Sequence, residues 1–252
     1  MNKADRSRHY QDRVRKAIAK PRLQDTLHRF ADAYVMAREA AFAGQDFEAL
    51  RTAIGEMKDE VRDNLPRYRD QFIANAEAAG AKVHIARTAA EANDYICNLA
   101  KQRGVKTVVK SKSMASEETH LNHALKDAGV EALETDLGEW IIQLAGEHPS
   151  HIIAPAIHKS RKDIGKLFAD KIRLPYTDDP PSLTRAARKT LREKFLAAEI
   201  GFSGCNIACA ETGHIVTVSN EGNIRMSTTM PKVHVAIMGM ERVAARLQDH
   251  DI

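Results

Sequence analysis

Apolar residues recur at helical spacing from Pro21 to about Ala79. Leu23, Leu27, Phe30 and Tyr34 form one stripe, and Phe47, Leu50, Ile54, Met57 and Val61 form another, with charged residues filling the remaining faces. That period predicts two or three amphipathic helices, one ended by Gly44 and another begun by Pro66. From Ala81 the pattern changes, and short β-branched runs alternate with segments of helical length. KVHIA (82–86), VKTVVK (105–110), VEAL (130–133), HIIA (151–154) and VHVAIM (233–238) are the expected strands. Residues 89–102, 116–128, 137–145 and 161–169 are the expected helices between them. The alternation predicts an α/β fold, an open, mostly parallel sheet with helices on both faces. Residues 1–79 then form an N-terminal helical extension and residues 80–252 the α/β domain. Ligands of such sheets sit beyond the carboxyl ends of the strands, so chemistry should follow each strand.

The stretch RLPYTDDPPSLTR, with three prolines and two adjacent acids, reads as an exposed excursion, followed by a basic amphipathic helix over 182–198. GFSGCNIACAETGHIVTVSNEGNIRM is rich in Gly, Asn, Ser and Thr. It reads as antiparallel strands joined by tight turns, with Gly213 and Gly222 at the bends.

Composition narrows the class. A hydrophobic fraction of 43% with near-balanced charge among 252 residues is enough to bury a core. No 18-residue apolar run exists and the N-terminus lacks the features of a secretory signal, so the expectation is a soluble, cytoplasmic protein with no membrane span. Residues 1–20 carry seven basic side chains against two acidic ones, leaving the remaining 232 residues at −1. Basicity belongs to a terminal arm, and a nucleic-acid surface is not indicated. Three cysteines, Cys97, Cys205 and Cys209, cannot build a disulfide framework or a four-thiolate cluster.

Four groups of residues could carry chemistry. Lys110, Ser111, Lys112 and Ser113 stand between a strand and a helix. Two ammonium groups and two hydroxyls there could cradle an anion; the alternative is a solvated loop in which Ser113 or Ser116 caps the helix and Glu117 or Glu118 completes the cap. In the second group, C-x3-C at Cys205 and Cys209 fits two metal ligands less well than two buried thiols. Glu211 at a strand end, before Thr212 and Gly213, could act as base or nucleophile, or could be a turn residue accepting backbone N–H bonds. Asn220, Glu221, Gly222 and Asn223 suit a tight hairpin turn, and Arg225 would suit a carboxylate or phosphate. His151 and His158 could transfer protons or be satisfied lone histidines. Composition and spacing leave open an enzyme domain for an anionic small molecule and an assembly module that uses its helical face and basic arm.

KSKSMASEETHLN, GEWIIQLAGEHPSHIIAPAIHKSRKDI and GFSGCNIACAETGHIVTVSNEGNIRMSTTMPKVHVAIMGMERV resemble, in order, the LUD domain family of bacterial lactate utilisation proteins, and within it the B-type iron–sulfur members. The resemblance runs from about Arg6 to Val243. It implies a fold similar to the ribose-phosphate isomerase, glucosamine-phosphate deaminase and CoA-transferase group. It implies participation in L-lactate oxidation to pyruvate with A-type and C-type partner proteins, with homo-oligomerisation also open. It places Lys110, Ser111, Lys112, Ser113, Glu139, His151, His158, Glu211, Thr212, Gly213, Asn220, Glu221, Gly222, Asn223 and Arg225 in family loops around a small-anion crevice. B-type members continue into a ferredoxin-like segment holding two [4Fe–4S] clusters, so these 252 residues are expected to be the front part of a longer protein and to hold no cluster themselves. An autonomous sugar-phosphate isomerase or CoA-transferase-like enzyme using Glu211, or a scaffold module, is the alternative.

Overall fold

The computed structural model describes residues 3–250, with side chains from His9 to Asp249. Lys3, Arg6 and Arg8 of the basic arm, and Asp251 and Ile252, lie outside the side chains described. In chain order the elements are helices α1 (Lys3–Ile18), α2 (Pro21–Ala41), α3 (Phe47–Asp63), α4 (Leu65–Ala78) and α5 (Ala89–Gln102), strand β1 (Thr107–Lys110), α6 (Met114–Glu118), α7 (Leu121–Asp127), β2 (Glu131–Glu134), α8 (Leu137–Ala145), α9 (Arg161–Lys171), α10 (Pro180–Ala197), β3 (Ile200–Gly204), β4 (Ile207–Cys209), β5 (Ile215–Val216), α11 (Asn223–Thr229), β6 (Val233–Ile237) and β7 (Val243–Ala244).

The chain forms two compact units, one of residues up to Phe47 with Ile141–Leu183, the other of Glu48–Trp140 with Thr184 onward. The expected division at residue 79 is not the one the contacts follow. Val61, Tyr68, Phe72 and Ala76, from α3 and α4, pack with Ala208, Ala210, Val243 and Ala245 in the second unit.

In the first unit, α2 buries no residue completely. Leu23, Leu27 and Phe30 of the predicted stripe are half-buried, and Tyr34 is exposed. Helix α9 begins at a reciprocal capping box between Ser160 and Asp163, which satisfies two otherwise unpaired N–H groups. Gly165 lets the Thr177 carbonyl lie against α9 where a side chain would collide.

The second unit holds a four-stranded sheet in the order β2-β1-β3-β6, parallel throughout. Val108, Ala132, Ile200 and Phe202 turn one face toward Ile96, Cys97 and Ala100 of α5 and Leu121 and Leu125 of α7. On the opposite face α11 lies against β3 at Gly201. Both faces are therefore covered, as the alternation predicts. A smaller sheet, β5-β4-β7, pairs β4 antiparallel to β5 and parallel to β7.

Four local expectations are corrected. KVHIA forms no strand; Ile85 is exposed and the His84 ring stacks on Tyr95 at 4.1 Å. HIIA is a turn, because His151 Nδ1 accepts the N–H groups of Ile153 and Ala154 and Ser150 donates its N–H to Pro155, using donors that a ladder would need. The helix expected over 116–128 is two helices, broken where His120 adopts φ 55°. Finally, Ile200–Gly204 joins the parallel sheet, and Gly222, at φ 77°, precedes α11 instead of turning a hairpin. Gly213 does turn the β4–β5 connection at φ 72°.

Candidate functional site

The strand order doubles back between β1 and β3, so the connections leaving these neighbours diverge at their carboxyl ends, the place where open α/β sheets bind ligands. Residues 110–113 follow β1, and Glu134 to Glu139 follow β2.

Lys110 is 1% exposed. Its ammonium donates to Ser116 Oγ at 3.0 Å and Glu117 Oε1 at 2.9 Å and lies 3.0 Å from Glu134 Oε1. An ammonium has three N–H donors, and all three have partners here. Burial opposes charge on Lys110, but the Glu134 and Glu117 carboxylates outweigh it and raise its pKa above the ordinary value. Burial likewise raises the Glu134 carboxyl, which Lys110 and the Asn122 amide stabilise only in part. Lys110 is thus the internal counter-ion of the site and is not available to cradle an anion.

The two serines of the segment are structural. The Ser111 N–H and hydroxyl both donate to the Phe202 carbonyl, tying the end of β1 to β3. The Ser113 hydroxyl accepts the Ser116 N–H as the N-cap of α6, so the capping alternative holds for this residue. Thr135 donates its N–H and hydroxyl to the Lys110 carbonyl and joins β2 to β1 in the same way.

Lys112 and Glu139 form a second, partly covered charged pair. Lys112 Nζ lies 3.9 Å from Glu139 Oε1, with side chains 24% and 15% exposed. Burial first, then the charges of Glu134, Glu117 and Asp136, push the Glu139 carboxyl up to about 7 against the pull of Lys112. Asp136 accepts the Glu139 N–H at the start of α8, and Glu221 Oε2 accepts the Leu137 N–H at 3.3 Å. Burial and the neighbouring Asp136, with which it shares a hydrogen bond, raise Glu221 as well. The arrangement combines one accessible ammonium with a carboxyl able to gain or lose a proton near neutrality.

The other predicted residues make contacts of their own. Glu211 Oε2 accepts the Leu247 N–H at 2.8 Å, and its carbonyl accepts the Asn75 amide, contacts that fit the turn role. Thr212 accepts the His214 N–H, and Gly213 packs on the backbone of Asn75 and Ala76. Asn223 is buried at the start of α11, while Asn220 and Arg225 are exposed. His151 and His158 belong to the first unit. The His151 ring meets Phe30 edge-on; the His158 ring nitrogens contact Ser150 Oγ and Glu147 Oε2, each at 2.7 Å. Both rings have partners within that unit.

A model of the LUD domain matches residues 69–251. The chain belongs to the LUD domain family. It is 44% identical over 206 residues to an uncharacterized electron transport protein, YkgF, of Escherichia coli (strain K12), covering 82% of this chain and 43% of that protein. It is 44% identical over 207 residues to lactate utilization protein B of Bacillus cereus (strain AH820) and of Bacillus thuringiensis (strain Al Hakam), covering 82% of this chain and 44% of each relative. The chain is therefore about half the length of these relatives, and its matched part covers less than half of each. No solved structure matches it.

Within the LUD region, reading by strand ends would also have found Glu134 and Asp136, which flank Thr135 directly after VEAL. The cysteines do not fit an iron–sulfur ligand set. Cys97, Cys205 and Cys209 are all buried free thiols, and burial pushes Cys205 up to about 11, against the thiolate that iron ligation requires. Among the described residues no group of three or more His, Cys, Asp or Glu side chains could hold a metal ion. No described helix is long and apolar enough to cross a membrane.

Proposed function

We propose that this chain is the LUD portion of a lactate-utilisation protein of the B type, taking part in oxidation of L-lactate to pyruvate in a cytoplasmic complex with A-type and C-type partners. The observation that carries this reading is 44% identity over 82% of the chain to proteins named lactate utilization protein B. The name of the Escherichia coli relative, an electron transport protein, points the same way. On this reading [4Fe–4S] clusters are held by a part of the longer protein outside these 252 residues, and the LUD portion supplies the organic-acid crevice at Lys112 and Glu139. The fold group of ribose-phosphate isomerases and CoA-transferases remains our proposal for the wider architecture, supported by the open parallel sheet.

Disrupting the gene in its host and comparing growth on L-lactate with growth on pyruvate tests the role. Growth lost on L-lactate alone is the expected outcome. Unchanged growth on L-lactate would overturn it.

A further inference from the structure

Three side chains of the α8–α9 connection, in the first unit, are joined in series. Ser150 Oγ lies 2.7 Å from His158 Nδ1, and His158 Nε2 lies 2.7 Å from Glu147 Oε2. Lys159 donates to the other carboxylate oxygen at 2.6 Å, and with His158 it holds the Glu147 carboxyl below the ordinary carboxylate range. An ionised carboxylate only accepts hydrogen bonds, so it selects the imidazole tautomer: neutral His158 carries its hydrogen on Nε2 and donates it to Glu147. Nδ1 is left with its lone pair, and the Ser150 hydroxyl donates to it. A hydroxyl bonded to a base that a third group orients is the arrangement that makes serine a nucleophile, recognised by geometry and roles whatever the order along the chain.

The surrounding backbone suits that chemistry. The Ser150 N–H donates to the Pro155 carbonyl at 3.0 Å, and His151 Nδ1 accepts the Ile153 and Ala154 N–H groups, so the turn that carries Ser150 is tied down. Ser150 is exposed, whereas the His158 side chain is only 16% exposed; the nucleophile is reachable and its base is shielded from bulk water. Among the described residues no acceptor meets the N–H groups of His151 and Ile152, which directly follow Ser150 and so are donors at hand for an oxyanion. Ile152 and Ile153, 64% and 61% exposed in the same turn, offer apolar surface for an acyl chain. The cation of the series, Lys159, is occupied by Glu147, so an uncharged carbonyl suits the site better than a phosphate.

We propose that Ser150, His158 and Glu147 form a nucleophilic triad that hydrolyses small carboxylic esters, an activity separate from lactate oxidation. Ser150 Oγ attacks the ester carbonyl as its proton passes to His158 Nδ1. The bond from the carbonyl carbon to the leaving alkoxy oxygen breaks, and His158 gives that oxygen the proton. Water then attacks the acyl-serine; His158 takes a proton from the water and returns it to Ser150 Oγ as the carboxylic acid leaves. Ester and water become acid and alcohol, with nothing oxidised or reduced. Ser150 and His158 are the catalytic residues, and Glu147 is a positioning residue that acts through His158.

Two measurements on the full chain test this: labelling with a fluorophosphonate ester, the adduct mapped by peptide mass spectrometry, and the rate of p-nitrophenyl acetate hydrolysis. The expected adduct is on Ser150, and hydrolysis is lost in Ser150→Ala. In His158→Gln both reactions slow about 100-fold. In Glu147→Gln kcat falls about tenfold with KM unchanged, a split that a merely structural role would not give. Circular dichroism checks that each variant folds. No adduct on Ser150 of the unsubstituted chain overturns the proposal. So does hydrolysis that persists unchanged in Ser150→Ala, or labelling of Ser150 at the same rate in the parent and in folded His158→Gln.

Discussion

Gly201 of β3 lies directly against the carbonyl of Ser227 in α11, so that a Cβ at position 201 would collide with the carbonyl oxygen and crowd the Pro231 ring. Strand and helix meet backbone to backbone there, and neither neighbour is the end of a flexible side chain. Gly201→Ala is expected to cost about 1–3 kcal/mol, the range for overfilling a packed interior, and to lower the thermal midpoint. Because Ser227 Oγ also lies 3.3 Å from Thr135 Oγ1, displacement of α11 should reach the end of β2. Denaturant unfolding of the variant with an unchanged midpoint would show that α11 yields freely.

The Lys110–Glu134 pair makes a second test. Removing one partner of a buried ion pair leaves an uncompensated charge, whereas removing both largely restores the balance. Lys110→Met is expected to lose about 3–5 kcal/mol in urea unfolding, and Lys110→Met with Glu134→Leu substantially less. In the single variant Glu134 would have its pKa raised still further in the folded state. Its ionisation then favours unfolding above the ordinary carboxylate range, so the damage should be greater at pH 8 than at pH 5. Equal losses at both pH values would contradict this account.

Much of the fold is legible in the sequence where burial and period agree. Ala89–Gln102 and Leu137–Ala145 carry regular stripes and are helices over those residues. The failures have local causes. β3 reads as part of an antiparallel hairpin because its glycines suggest turn-rich strands, whereas Gly201 is needed for α11 to approach and Gly204 lies against Ser113. Asn-Glu-Gly-Asn suits a hairpin, yet the same left-handed glycine can precede a helix, and only the packing of Asn223 and Ser227 decides between them. In the site, the lysines and Glu139 were found from strand ends and family loops. That Lys110 is consumed by Glu134 and Glu117 depends on parallel pairing of β1 with β2, a long-range register that no local pattern carries.

His234 of β6 gives a prediction in the acid range. Its Nε2 lies 2.7 Å from Ser203 Oγ, and burial holds its pKa below the ordinary value. The unfolded chain binds this proton more readily than the folded one, so the group's contribution is present above the ordinary histidine pKa and is lost as pH falls through it. His234→Gln should cost about 1 kcal/mol at pH 7.5 for the altered hydrogen bond. It should also remove part of the stability lost between pH 7 and 5, as followed by urea midpoints. A variant as acid-sensitive as the parent would mean that His234 is not held neutral.

Glu139 acts with the opposite sign. Its carboxyl is raised to about 7 in the folded protein from an ordinary value of 4.5, so the folded state binds the proton more tightly than the unfolded chain. This group therefore favours folding fully below pH 4.5, loses that advantage as pH rises toward 7, and adds no further change above it. Replacing it with the neutral isostere removes the penalty of ionising a buried carboxyl beside Glu134, Glu117 and Asp136. Glu139→Gln is expected to be near neutral at pH 4.5 and to gain up to about 3 kcal/mol at pH 8, a ceiling set by the size of the shift. The measurement is the difference in urea midpoint between the two proteins across that range. A difference that does not change with pH would mean that neither burial nor the surrounding carboxylates act on Glu139, whereas a growing one ties this acid to a stability cost that an incoming proton relieves.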